Sequence, residues 1–212
     1  MLKAILNKIS NKTTQKKDVA IILDAGHGKD TKGNRSPVWP DGSQLFEWEF
    51  NRDIVRRISE KLLKLNIEHF ILVPEDKDIA LAERVKRAND IYKKHRNKCF
   101  LVSVHVNAGK GTGWEVWTSV GTTKSDNIAT IFWNEMKVEF PNKKMRLDTS
   151  DGDVDKETNY TILYATNCPA ILTENFFMDT ENDCRLIMSE DGRKKIADAH
   201  VRAIQKVIEI LY

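Results

Sequence analysis

The chain has 212 residues, 41% hydrophobic and 31% charged, a balance that suits one compact domain with a sizeable core. Ten glycines and five prolines are too few for a long linker or a low-complexity tail, and no internal repeat is visible. The 34 lysines and arginines exceed the 31 acidic residues only enough to give a formal charge of +3, too mild to call for a nucleic-acid partner. The basic clusters Lys93-Lys94-His95-Arg96 and Lys143-Lys144 read as solvated surface.

Residues 1–18 read as an N-terminal arm. Leu2, Ala4, Ile5, Leu6 and Ile9 predict a short amphipathic helix over Met1 to Ile9, interrupted by Lys3 and Lys8. A secretory signal needs an unbroken apolar stretch and a small-residue cleavage site, and this segment has neither. No stretch is long enough to span a membrane.

The domain proper is expected over residues 19–212. Val19-Ala20-Ile21-Ile22-Leu23 is a continuous apolar run that suits a strand buried on both faces. Lys29 to Gly42, rich in Gly, Pro, Asn and Asp, predicts a long loop. Phe50, Ile54, Ile58 and Leu62 recur every fourth residue and predict an amphipathic helix over Glu49 to Leu65. Ile67 to Val73 reads as a strand, Ile79 to Tyr92 as a helix, Phe100 to His105 as a buried strand and Trp114 to Thr118 as a shorter one. A helix follows around Ile128 to Val138, then a polar loop over Lys143 to Asn159. Thr161 to Tyr164 and Ala170 to Thr173 read as short strands, and Ile196 to Leu211 as the last helix. Cys99 and Cys168 border apolar runs and form no CxxC pair, so they read as small core residues.

This alternation predicts an α/β fold: a single domain built on a twisted, mostly parallel sheet with helices on both faces. Such sheets bind ligands beyond the carboxyl ends of their strands. His27 lies just past the first strand, His105 ends the third, and Glu174 follows the last. Three reactive side chains therefore converge on one edge.

Zinc in a catalytic site takes three imidazole or carboxylate ligands and keeps one position open. His27, in Asp24-Ala25-Gly26-His27-Gly28, is flanked by glycines that let the backbone turn sharply. His105 stands in Ser103-Val104-His105-Val106-Asn107-Ala108. Either histidine alone reads equally well as a hydrogen-bonded structural group; their joint position makes them metal candidates. A carboxylate at the start of the first long helix would complete the set, and Glu47 and Glu49 compete for that place. Glu174, in Leu172-Thr173-Glu174-Asn175, sits where partial desolvation would raise its pKa and suit it to accept a proton from water. Its bland alternative is a strand-end glutamate paired with a lysine.

Ile22 to Gly28, Glu47-Trp48-Glu49-Phe50-Asn51, Ser103 to Ala108 and Pro169 to Asn175, in that order, resemble the zinc-dependent N-acetylmuramoyl-L-alanine amidases of the type 3 family. The resemblance runs from about Val19 to near Tyr212. It implies zinc (Zn2+) held by His27, Glu47 and His105, Glu174 as the catalytic base, and peptidoglycan as the substrate. Action would then be at the cell wall, in the periplasm or outside the cell, with a monomer as the expected form. Two departures are tolerable: Ala25 stands where the family has proline or a similar small residue, and Thr173 where valine is common. Some relatives insert a helix that plugs the site; Ser119 to Asn159 holds only one ordinary helix and a loop, so no plug is expected.

Other residues weigh less. Asn51 and Asn107 are placed to orient ligands, and Trp39 and Trp114 to stack on substrate or to fill the core. The acidic run Asp148 to Glu157 does not match an EF-hand, because its glycine is misplaced. His69, His95 and His200 have no supporting neighbours and read as structural or surface groups. A dinucleotide site fails because a loop, not a helix, follows Gly26-His27-Gly28. A zinc peptidase cutting within the stem peptide and an inactive wall-binding module are the alternatives to the amidase.

Overall fold

The computed structural model describes residues 18–96 and 98–212, so the helix predicted for Met1 to Ile9 lies outside the described residues. The elements run in the order β1 (Ala20–Ala25), α1 (Glu47–Lys64), β2 (His69–Ile71), α2 (Leu81–Lys94), β3 (Cys99–Asn107), β4 (Glu115–Thr118), α3 (Lys124–Glu139), β5 (Lys156–Glu157), α4 (Thr161–Tyr164), β6 (Ala170–Phe177), α5 (Glu181–Met188) and α6 (Glu190–Leu211). The six strands form one sheet in the order β2-β1-β3-β6-β4-β5. All neighbours are parallel except β4 and β6, which run antiparallel.

The two faces are read directly from the alternation in β1. Ile21, Leu23 and Ala25 point into one cluster with Phe50, Ile54, Ile58 and Leu62 of α1, Phe132 of α3 and Ile204 of α6. Ala20 and Ile22 point the other way, against Ala88 of α2 and Ile162 and Leu163 of α4. Every residue of β1 is buried, as a central strand covered on both faces requires. Burying one Ile or Phe side chain is worth about 1.5–3 kcal/mol, so the two clusters supply the main drive for folding. Cys99, Cys168 and Cys184 are free and buried, packed as small apolar groups.

Three local expectations are corrected. Thr161 to Tyr164, expected as a strand, is one helical turn whose Ile162 and Leu163 are buried. Four residues are too few for either period to show, so apolar content alone misled the assignment. Within the stretch expected to be loop, Lys156–Glu157 pairs with Trp117 and Thr118 as a two-residue edge strand. The last helix begins at Glu190, six residues before Ile196, because Ser189 caps it by accepting from the Gly192 amide at 3.0 Å. Helix α5 just before it was not anticipated.

Candidate metal centre and active site

The turn after β1 carries His27 at φ 58°, in the left-handed region, which costs a non-glycine residue about 1–2 kcal/mol. The flanking glycines serve close approach rather than the turn itself. A Cβ on Gly26 would lie 2.1 Å from Cε1 of His105, and one on Gly28 2.0 Å from the Asp78 amide nitrogen.

Two arginines hold this turn. Arg84, 3% exposed, donates to the Ala25 carbonyl at 2.7 Å, the His27 carbonyl at 3.1 Å, and the carboxylates of Asp24 at 2.8 Å and Asp78 at 2.9 Å. Arg52 on α1 donates to the same Ala25 and His27 carbonyls, both at 2.7 Å. Nothing in the local sequence around either arginine marked it.

Helix α1 begins at Glu47 itself, and of the two glutamates only Glu47 faces the histidines. Glu47 is 2% exposed, while Glu49 in the same turn faces solvent. The Glu47 carboxylate oxygen Oε1 lies 3.1 Å from Nδ1 of His105 and 3.4 Å from Nε2 of His27, and accepts from the Val106 amide at 3.1 Å. Burial alone would raise its pKa, but the two imidazoles outweigh it and hold the carboxyl at about 2. The ligand atoms of His27, Glu47 and His105 all lie within 4.8 Å of one another. Two imidazoles and a carboxylate on this scale fit zinc by donor type and spacing.

His105 does not quite end its strand; β3 continues to Asn107, with a register shift after His105. There β6 carries an extra residue, with Phe176 at φ 67°. Asn175 bridges the irregularity by donating to the His105 carbonyl at 3.0 Å, and accepts from the indole of fully buried Trp114 at 3.0 Å. Trp114 therefore orients Asn175 and offers no stacking surface. Trp39 packs against the core, its indole 3.3 Å from Cys184 Sγ. Asn51 reaches Gly26 and, at 3.4 Å, Glu47, whereas Asn107 contacts Glu115 at 2.6 Å rather than a histidine.

Register puts His105, Glu174 and Glu115 side by side on β3, β6 and β4. Glu115 is saturated: Asn107, Trp117 at 3.1 Å, Lys156 at 3.1 Å and Arg146 all donate to it. Burial opposes its charge, yet Arg146 and Lys156 hold its pKa below the ordinary value. Glu174 is the opposite case. Its Oε2 is buried with no hydrogen-bond partner, and burial, with the charges of Glu47 and Glu115, drives its pKa well above the ordinary value. His69, His95 and His200 lie in none of the metal-sized clusters found among the described residues; His200, fully buried against Thr173, falls to about 4 through burial.

With this geometry in place, comparison with known proteins is decisive for kinship. Residues 21–206 match the model of the Amidase_3 family, N-acetylmuramoyl-L-alanine amidase. The chain belongs to that family. It is 26% identical over 198 residues to an endolysin of Bacillus phage SPP1, covering 90% of this chain and 66% of that protein. It is also 26% identical to the N-acetylmuramoyl-L-alanine amidase CwlM of Bacillus licheniformis, covering 91% of this chain and 70% of that one. The chain thus spans about two thirds of the length of these relatives. A crystal structure of an N-acetylmuramoyl-L-alanine amidase from Clostridium difficile 630 superposes with a TM-score of 0.78 at 25% identity, covering 92% of this chain and 98% of that one. That amidase therefore shares this fold.

Because Arg84 both neutralises buried Asp24 and satisfies carbonyls of the His27 turn, Arg84→Met is expected to cost about 3–5 kcal/mol in urea unfolding. Arg52→Met, which leaves Arg84 on the same carbonyls, is expected to cost about 1–2 kcal/mol. Equal losses would show that the Asp24 ion pair is not what sets the difference.

Proposed function

We propose that the chain hydrolyses the amide bond between N-acetylmuramic acid and L-alanine in bacterial peptidoglycan, releasing stem peptides, with zinc held by His27, Glu47 and His105. The observation that carries this reading is the gathering of those three donors within 4.8 Å, beside an unpartnered carboxylate, Glu174, paired in register with His105. The names of the relatives, an endolysin and amidases, support the substrate class and an action at the cell wall. Among the described residues no helix is long and apolar enough to cross a membrane.

Bound zinc would supply Lewis acidity, lowering the pKa of water and polarising the scissile carbonyl. The rest falls to the chain's own side chains. Glu174, whose burial raises its proton affinity, takes a proton from the attacking water as a general base. The same carboxyl then returns a proton to the departing alanine nitrogen, since a group with raised pKa is a competent acid near neutrality. The arginine clamp and the Val106 amide keep His27 and Glu47 from shifting during this exchange.

The first test is a digest of purified peptidoglycan with zinc-loaded protein and with chelator-treated protein, its fragments read by mass spectrometry. Chelator-sensitive release of intact stem peptides with a free N-terminal alanine is the expected result, without any added partner protein. Fragments cut inside the stem would replace the amidase with a peptidase, and no fragments would point to a binding module or a missing activator.

Variants separate the roles. Glu174→Gln is expected to keep one zinc per chain while turnover falls by at least about 100-fold; His27→Ala is expected to lose both. The stability sign follows from the raised pKa. A carboxyl whose folded pKa lies above its unfolded value binds protons better when folded, so its contribution is lost as pH rises from the ordinary carboxylate range through the folded value. Metal-free Glu174→Gln should therefore unfold at a higher temperature than the metal-free parent at neutral pH. A lower one would contradict the desolvated-carboxylate reading.

A further inference from the structure

The acidic run that fails as an EF-hand is completed by a residue from elsewhere in the chain. Asp153 and Asp155 meet Asp126, from the first turn of α3, with ligand atoms of all three within 4.8 Å of one another. Asp155 is 1% exposed and Asp126 8% exposed. Asp155 Oδ2 accepts from Thr118 at 2.5 Å, but its Oδ1 is buried with no hydrogen-bond partner. Both oxygens of Asp126 are engaged in capping the helix at Thr123, at 2.7 and 3.0 Å. Among the described residues no lysine or arginine forms an ion pair with any of the three.

Three carboxylates this close, two of them buried, repel one another strongly unless a positive charge lies between them. The available compensators are a shared proton and a cation. Beside the cluster is a cavity of about 250 Å³ lined by Asp148, Ser150, Asp151, Asp155 and Glu157. Its acidic lining would draw cations towards the orphaned oxygen. Burial, a carboxyl–carboxyl contact with Asp153 and the charges of Asp153 and Asp126 push the Asp155 carboxyl up to about 7, the mark of a charge the protein itself does not compensate.

We propose that Asp126, Asp153 and Asp155 bind one hard divalent cation of the calcium class. The donors are all oxygen, the chemistry of calcium rather than zinc. Oxygens on opposite sides of a calcium ion at about 2.3–2.6 Å are up to about 5 Å apart, so donor atoms that all lie within 4.8 Å of one another can share one ion. Carbonyls, hydroxyls and water complete such a shell. Its place in the fold gives it a structural role. It ties the segment before β5 to the end of β4 and to the start of α3, and so holds Lys156 on Glu115, the strand neighbour of Glu174. The site is separate from the His27 cluster and shares no residue with it.

The test uses the full chain, stripped of metal and desalted. CaCl2 is titrated in by calorimetry at about pH 7.5, and thermal unfolding is followed with and without it. One calcium per chain is expected, with Tm raised by about 5 °C at saturation. Asp153→Asn, at a half-exposed position that should leave folding intact, is expected to weaken binding at least about tenfold, as is Asp155→Asn. Asp90→Asn, exposed on α2 and in neither the trio nor the cavity lining, should bind as the parent does. No heat and no Tm change up to about 10 mM calcium would overturn the proposal. So would undiminished binding by Asp153→Asn and Asp155→Asn, or a Tm that rises as pH falls through about 7 and ignores calcium, the mark of a shared proton. Zinc content and peptidoglycan cleavage, read on the same samples, report on the His27 cluster independently.

Discussion

A strand that delivers a histidine to a site must stop, and stopping leaves backbone carbonyls with no ladder partner. Here the carbonyls of Ala25, Gly26 and His27 face that problem in the region where His27 adopts a left-handed backbone. Arg52 and Arg84 answer it with guanidinium groups whose several N–H donors reach two or three carbonyls at once. Arg84 also cancels the charge of Asp24, which is buried at the end of β1 and accepts from Ser103 at 2.6 Å. The pair thereby couples the centre of the sheet to the metal-sized cluster. A turn held this way is rigid without being regular, which is what a ligand-positioning segment requires.

That device explains which parts of the molecule could be read in the sequence. The apolar run of β1 and the fourfold spacing in α1 declare their elements, because burial on two faces or on one stripe leaves a local pattern. His27, His105 and Glu174 were visible because each stands at or near the carboxyl end of an apolar run, although β3 and β6 continue past His105 and Glu174 to Asn107 and Phe177. Arg52 and Arg84 were not visible, since each sits on a helix at a position where an arginine is ordinary and its target is a turn 25 or more residues away. Glu115 and the acidic trio were hidden for the same reason: what matters about them is register and loop approach, and neither has a local signature. The short helix Thr161–Tyr164 and the edge strand Lys156–Glu157 fall below the length at which periodicity can speak.

Glu115 and Glu174 show how neighbouring groups of one type acquire opposite properties. They are register partners on adjacent strands, and burial opposes the charge of both. Four donors converge on Glu115 and keep it ionised. None was given to the Oε2 oxygen of Glu174, and the charge fixed on Glu115 adds to that of Glu47 in opposing a second one there. A carboxylate left bare in a well-packed sheet weakens the fold, and a fold selected for stability alone would have paired it or replaced it. Separated proton affinities of this kind are the pattern by which acid–base roles are divided at a reaction centre. The saturated member holds its place and its charge, while the bare one is free to gain and lose a proton. Set beside His105 on the next strand, that freedom is the physical ground on which the proposed proton transfer is given to Glu174 rather than to Glu115.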